Sequence, residues 1–405
     1  MNHIPNINFR ALLLRQTVFM LFIALIASGC KTSPSGPSDE DKKREAVQTY
    51  ASIVSAGYED SYSKALELRT ALQTFVAVPS AAAQTAAKTA WLAARIPYGQ
   101  TEAFRFYGGP IDGDGGPEGQ INSWPMDEQY IDYVDNGGTI SNTGLINNTS
   151  VAISAAAIAA SNQQSSETDV STGYHAIEFL LWGQDLTAPS ANQSGQRAYT
   201  DYLTTGGTNQ NQARRGQYLL AAADLLVQDL QILVDAWKPN AANYRAQFTG
   251  GNPDAALAQI FTGMGSLTKG ELAGERMSVA LTSGDQEDEH SCFSDNTRED
   301  AVQNATGARN IWLGRYTRTD GTLVSGRSLE SLVTEKSGTA ASDLTAKLDA
   351  ALTKVKALQS PFDLEISSGN SAGNQRVQDG VNALRSAGDA MSEAARVLGL
   401  SINLE

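Results

Sequence analysis

Apolar positions recur at steps of three and four along most of this 405-residue chain. From Val47 they run through Tyr50, Val54, Tyr58, Tyr62, Ala65, Leu68 and Leu72 to Phe75, the stripe of a long amphipathic helix. The pattern returns at Leu219, Ala222, Leu226, Leu230, Leu233 and Trp237, at Leu344, Leu348, Leu352, Val355 and Leu358, and at Val377, Val381, Leu384, Met391, Ala395 and Leu398. Shorter helices are expected over 83–95, 151–161, 167–182, 254–282 and 298–316. No strand-like alternation of any length interrupts them, so the spacing predicts an all-α protein built from helical bundles.

Two connections are long: 96–125, rich in Gly and Pro, and 183–212, rich in Gly, Asn, Gln, Ser and Thr. Loops of that length in compact domains usually carry function or disorder. The chain also exceeds what one core usually serves. A division into two helical-bundle domains, 44–200 and 201–405, is therefore expected. Their similar helical content suggests a structural duplication, although no residue-level repeat accompanies it.

Composition changes the picture at the N-terminus. Residues 1–29 read as a secretory signal, with Arg10 and Arg15, no acidic residue, an apolar stretch from Val18 to Ile26, and then small residues. Ala27-Ser28-Gly29-Cys30 resembles the lipobox of bacterial lipoproteins, in which the cysteine is lipidated and begins the mature chain. That resemblance implies a body anchored to a membrane of the bacterial cell envelope through Cys30, facing the periplasm or the cell surface. Residues 30–43 would form a flexible stalk. No later stretch approaches the roughly 20 apolar residues of a spanning helix. Cys292 is the only other cysteine, either a small buried hydrophobe or a free thiol. The net charge of −14 becomes more negative once Arg10 and Arg15 leave. It disfavours nucleic acid and favours cations or basic partners.

Candidate chemistry centres on Gly173-Tyr174-His175-Ala176-Ile177-Glu178, which sets two ionisable side chains inside a run continuing into Phe179, Leu180, Leu181 and Trp182. A helix here would be buried on most sides, and buried charge needs a partner. His175 and Glu178 would share one face and could converge on one proton or one cation. Gly173 would let a backbone or a ligand approach beside them. Glu102 and Arg105 lie among aromatics with the same spacing, so Glu102 could complete a ligand set. Glu271 and Glu275 are expected on one helical face, with Arg276 as a neutralising neighbour, and an acidic run leads to His290. The expected metal ligands are therefore His175, Glu178, Glu102, Glu271 and His290, flanked by Gly173, Arg105 and Arg276. No H-E-x-x-H, G-x-S-x-G or P-loop sequence occurs. Asp112-Gly113-Asp114 lacks the later ligands of a calcium loop.

Longer segments carry a more specific signal. Together with Gly173, His175 and Glu178, the stretches RIPYGQTEAFRFYGGPID (95–112), INSWPMDEQYIDYV (121–134), GELAGERM (270–277) and EDEHSCFSDNT (287–297) resemble the imelysin family, in its iron-regulated protein A branch. The resemblance implies an exported, often lipid-anchored bacterial protein of two helical bundles, with a site near the domain interface that includes His175 and Glu178. It also implies a role in iron acquisition. The cargo would be a metal ion or an iron-carrying ligand, with iron the expected metal and zinc a second choice, and an iron-uptake transporter would be the partner. The family is also classed as a peptidase. Two readings therefore stand: a non-catalytic binding protein, or a metallopeptidase using His175 and Glu178. A structural lipoprotein without a small ligand is a third.

Overall fold

The computed structural model describes Met1 and residues 36–404; apart from Met1, the expected signal segment, Cys30 and the stalk as far as Ser35 lie outside the described residues. Helix α1 (Asp39–Ala77) follows the predicted stripe and buries Val47, Tyr50, Val54, Tyr58, Leu68, Leu72 and Phe75. It starts earlier than expected, so residues 39–43 are helix rather than flexible stalk. Lys42 pairs with Glu335 at 2.7 Å, Lys43 with Asp254 at 2.5 Å, and Arg44 donates to the Gly251 carbonyl at 3.0 Å, contacts that hold this first turn to the body.

Helix α2 (Ala81–Thr101) is capped by the Ser80 hydroxyl, which accepts from the Ala83 N–H at 3.2 Å. It runs through Pro97 into what the sequence presents as loop. An interior proline costs about 3 kcal/mol; full burial of Trp91 and Tyr98 offsets it. The further long elements are α3 (Gly173–Trp182), α4 (Gln212–Trp237), α5 (Pro253–Gly265), α6 (Thr297–Trp312), α7 (Gly338–Lys356), the short α8 (Phe362–Ile366) and α9 (Ser371–Val397). Between α5 and the short helix Val279–Ser283, the backbone winds as a π-helix over Ser266–Ser278. Among the described residues the strands are two small antiparallel hairpins: β1 (Val134–Asp135) with β2 (Ile140–Ser141), and β3 (Arg315–Thr317) with β4 (Leu323–Ser325). The fold is all-α, as the periodicity predicts. No described helix is long and apolar enough to cross a membrane.

Helix α2 packs on α3 and α6, α3 on α4, and α9 on α5, α7 and the π-helix. Glu40–Glu405 form one compact unit. The boundary expected near residue 200 falls among buried groups. Arg197 lies 2.8 Å from Asp132 and 3.4 Å from Asp201, and Gln84 of α2 donates to the carbonyls of Leu181 and Arg197. Polar composition suggests a linker at 183–212, and most of it is exposed or half-buried, but these ion pairs fasten it to the body at Arg197 and Asp201.

Candidate functional site

Every residue of α3 is buried, as its apolar composition requires. Gly173 opens the helix with φ of 81°, and a Cβ there would lie 2.3 Å from the Ile121 carbonyl oxygen. Only glycine meets both conditions. The close approach expected beside His175 is thus made by backbone, not by a ligand. One turn on, His175 Nδ1 lies 2.9 Å from Glu178 Oε2. The other Glu178 oxygen accepts from the Ser294 N–H at 3.0 Å and hydroxyl at 2.6 Å. Burial pushes the Glu178 carboxyl up to about 8, against the pull of Ser294.

The His175 ring meets the His290 ring edge to face, with centroids 4.7 Å apart, and Trp124 packs on His290 at 5.7 Å. His290 Nδ1 is 3.3 Å from Asp300 Oδ2. Both imidazoles are therefore oriented through Nδ1 by a carboxyl group. Burial pushes both down to about 3, aided by Arg95 at His175 and Arg276 at His290, so both are neutral at pH 7. His175 Nε2 is buried and has no hydrogen-bond partner.

From Asp300 the network continues. Asp300 accepts from Ser291 Oγ at 2.5 Å, from Asn296 at 3.1 Å and from Arg95 Nε at 3.0 Å. The Arg95 guanidinium lies over the Tyr174 ring at 5.1 Å and donates to Asn122, whose amide is 3.5 Å from Glu102. Arg276 grips Glu102 through both terminal nitrogens, at 3.1 and 2.5 Å, and reaches Glu271 at 2.8 and 3.0 Å. Asn304 bonds both Arg276 and Glu102, and Arg105 bridges Glu102 at 3.2 Å to Glu118 at 2.9 Å. Burial would raise the carboxyls of Glu102, Glu271 and Asp300. Arg276 overcomes it at the first two and Arg95 at the third, holding all three below the usual carboxylate range.

His175, Glu178, His290, Glu102, Arg105, Glu271 and Arg276 thus join one largely buried network, but they do not form the ligand set expected. Glu102 and Glu271 are neutralised by Arg276 and Arg105. Among the described residues, no group of three drawn from His175, Glu178, Glu102, Glu271 and His290 brings its ligand atoms together. The π-helix explains part of this. Its i→i+5 winding aligns Glu271 with Arg276 and leaves Glu275 exposed, whereas α-helical spacing would pair Glu271 with Glu275. Arg95, Asn122, Trp124, Ser294, Asp300 and Asn304 are members that sequence reasoning missed. Arg95 alone had a signal: a cation flanked by Trp91 and Tyr98 on one apolar helix face demands a buried acid. Cys292 is free and buried, and burial pushes its thiol up, so it acts as a small hydrophobe.

What this arrangement offers chemically is a histidine with a carboxyl behind Nδ1 and an unused Nε2. Metal-binding histidines are oriented in this way. The chain belongs to the imelysin family: the family model, Peptidase_M75 (imelysin), matches residues 54–391. A curated relative is iron-regulated protein A of Synechococcus elongatus, 26% identical over 365 residues, which cover 88% of this chain and 86% of that one. The fold is shared with the crystal structure of an iron-regulated protein A precursor from Parabacteroides distasonis, with a TM-score of 0.69 at 19% identity, over 90% of this chain and 97% of that one. An imelysin-like protein from Psychrobacter arcticum superposes with a TM-score of 0.63 at 15% identity, over 91% and 98%.

Proposed function

We propose that this chain is a lipid-anchored protein of the bacterial cell envelope that binds iron, or an iron-carrying ligand, for uptake. The observation that carries the reading is His175 Nε2, buried without a partner while Nδ1 is backed by Glu178. A neutral imidazole whose Nδ1–H donates to an ionised Glu178 would present an Nε2 lone pair suited to Fe(II), metal uptake displacing the proton that burial keeps on Glu178. His290, similarly backed by Asp300, stands beside it. Two imidazoles leave coordination positions for a chelate or for water, which favours cargo over a fixed cofactor. The relative named as iron-regulated supports an iron-related role. The lipobox resemblance supports the anchor, and an envelope transporter would receive the cargo.

Hydrolysis would need three protein ligands around one metal and an open position. The guanidinium pairing of Glu102 and Glu271 argues against those two as ligands and so favours binding. The test is anaerobic titration of the purified chain with Fe(II). His175→Ala and the His175→Ala/Glu178→Ala pair should lose binding at least about tenfold. Equal uptake by wild type and the double variant would overturn the reading, as would chelator-sensitive cleavage of a peptide library that depends on His175.

A further inference from the structure

Asp185 follows α3, Asp295 lies just before α6, and Asp363 is in α8. One carboxylate oxygen from each lies within 4.8 Å of those of the other two. Oxygens bound to one calcium ion at 2.3–2.6 Å are at most about 5 Å apart, so three gathered this closely can share one ion. Asp185 and Asp363 are 4% exposed. Asp295 is half-buried and held in the left-handed region at φ of 59°. An acidic cluster in water needs no counter-ion, but one drawn into the interior does.

Among the described residues no cation acts on this cluster. The charges acting on Asp295 are Asp363, Asp185 and Glu178, and the charge acting on Asp363 is Asp185, all carboxylates. A fourth buried acid feels the charge of the same three residues. Glu289 is 1% exposed, bonds Thr297, and keeps Oε2 buried with no partner. Its carboxyl faces the charges of Asp363, Asp295 and Asp185, the same three residues. A surface hollow of about 520 Å³, lined by Asp185, Asp285 and Glu287 among others, opens beside the cluster and gives a cation an acidic entrance.

We propose that Asp185, Asp295 and Asp363 bind one calcium ion, with the Glu289 carboxyl adding negative charge beside them. The donors are all hard oxygens from separate segments, a set that suits the irregular shell of calcium better than the strict octahedron of magnesium. The ion ties the segment 285–296 to the end of α3 and to α8. Ser294, which holds Glu178, adjoins the ligand Asp295. Calcium therefore also fixes one wall of the histidine site, although it uses none of that site's residues.

Calcium titration of the full chain after dialysis against EGTA tests this. Wild type should take up about one ion per chain, and its Tm should rise by about 5 °C at roughly a hundredfold excess over Kd. The Asp295→Asn/Asp363→Asn variant should lose that response, while its Tm in EGTA matches or exceeds that of wild type because like-charge repulsion is relieved. That second measurement separates lost binding from misfolding. His175→Ala should keep the calcium response, so this site and the iron reading fail separately. No saturable uptake up to about 10 mM calcium, above the weakest extracellular calcium modules, or an equal response in wild type and the double variant, would overturn the proposal.

Discussion

Glu102 is wholly buried and yet ionised, whereas Asp295 is half-buried and is the one whose carboxyl is pushed up to about 7. Depth alone predicts the reverse order. Burial raises both, but around Glu102 stand Arg276 and Arg105, and around Asp295 stand only carboxylates. Around Glu102, both Glu102 and Glu271 are answered by a guanidinium within hydrogen-bond distance, so their charge is balanced as folded. In the second, the protein has gathered acids without supplying the cation. A buried carboxylate with its arginine is structure; a set of carboxylates without one is an incomplete site.

The sharpest way to break this contrast is to remove the arginine. Arg276→Met should cost about 3–5 kcal/mol in urea unfolding, because buried Glu102 loses its bidentate partner and keeps only Arg105 at 3.2 Å and Asn304 at 3.1 Å. A loss below about 1 kcal/mol would mean that Arg105 and Asn304 suffice for Glu102. Ser294→Ala tests the bridge between the two regions, since its hydroxyl holds Glu178 while its neighbour Asp295 belongs to the cluster. The expected loss is about 1–3 kcal/mol, together with weaker iron uptake.

Asp363→Asn should act with the opposite sign. Without divalent cations it should raise stability by about 0.5–1 kcal/mol, and the gain should depend on pH. The folded carboxyls of Asp295 and Asp363 are raised above their unfolded values. Their contribution is present in acid and is lost as pH rises through about 7 at Asp295. The gain from the variant should therefore be larger at pH 8 than at pH 4, and a gain independent of pH would refute the repulsion argument.

Asp229 on α4 supplies the smallest and cleanest case, a buried carboxylate alone. One of its oxygens has no partner, and burial by itself pushes its carboxyl up to about 7. A raised folded pKa again stabilises below the unfolded value and loses that contribution as pH rises through about 7. Asp229→Asn should raise Tm at pH 8 and have little effect at pH 4, with a calcium response equal to that of wild type. A calcium-dependent Tm change specific to this variant would show that the cluster is not the source of cation sensitivity.

Much of the fold was legible beforehand because burial of an apolar stripe leaves a period of three to four residues in any helix. The stripe over Val47–Phe75 and those leading to Trp237, Leu358 and Leu398 all form helices. Departures occurred where tertiary contacts overrode a local signal: Pro97 inside α2, the π-helix at Ser266–Ser278, and a polar 183–212 segment fastened to the body by a buried ion pair at Arg197. In the site, His175 and Glu178 were visible as charges misplaced in an apolar run. Asp300, Asn122 and Ser294 were not, because a polar residue in a polar context looks solvated until the fold buries it.

By itself, then, the chain determined its helices and the presence of an unusual His175–Glu178 pair, since both depend on neighbours a few residues away. Only the tertiary structure decided which acids are neutralised and which are not. Glu102 and Asp363 look alike in sequence. Arg276 reaches one from a distant segment, while the other meets Asp185 and Asp295. Charge balance in an interior is set by residues far apart along the chain, and no local pattern records it.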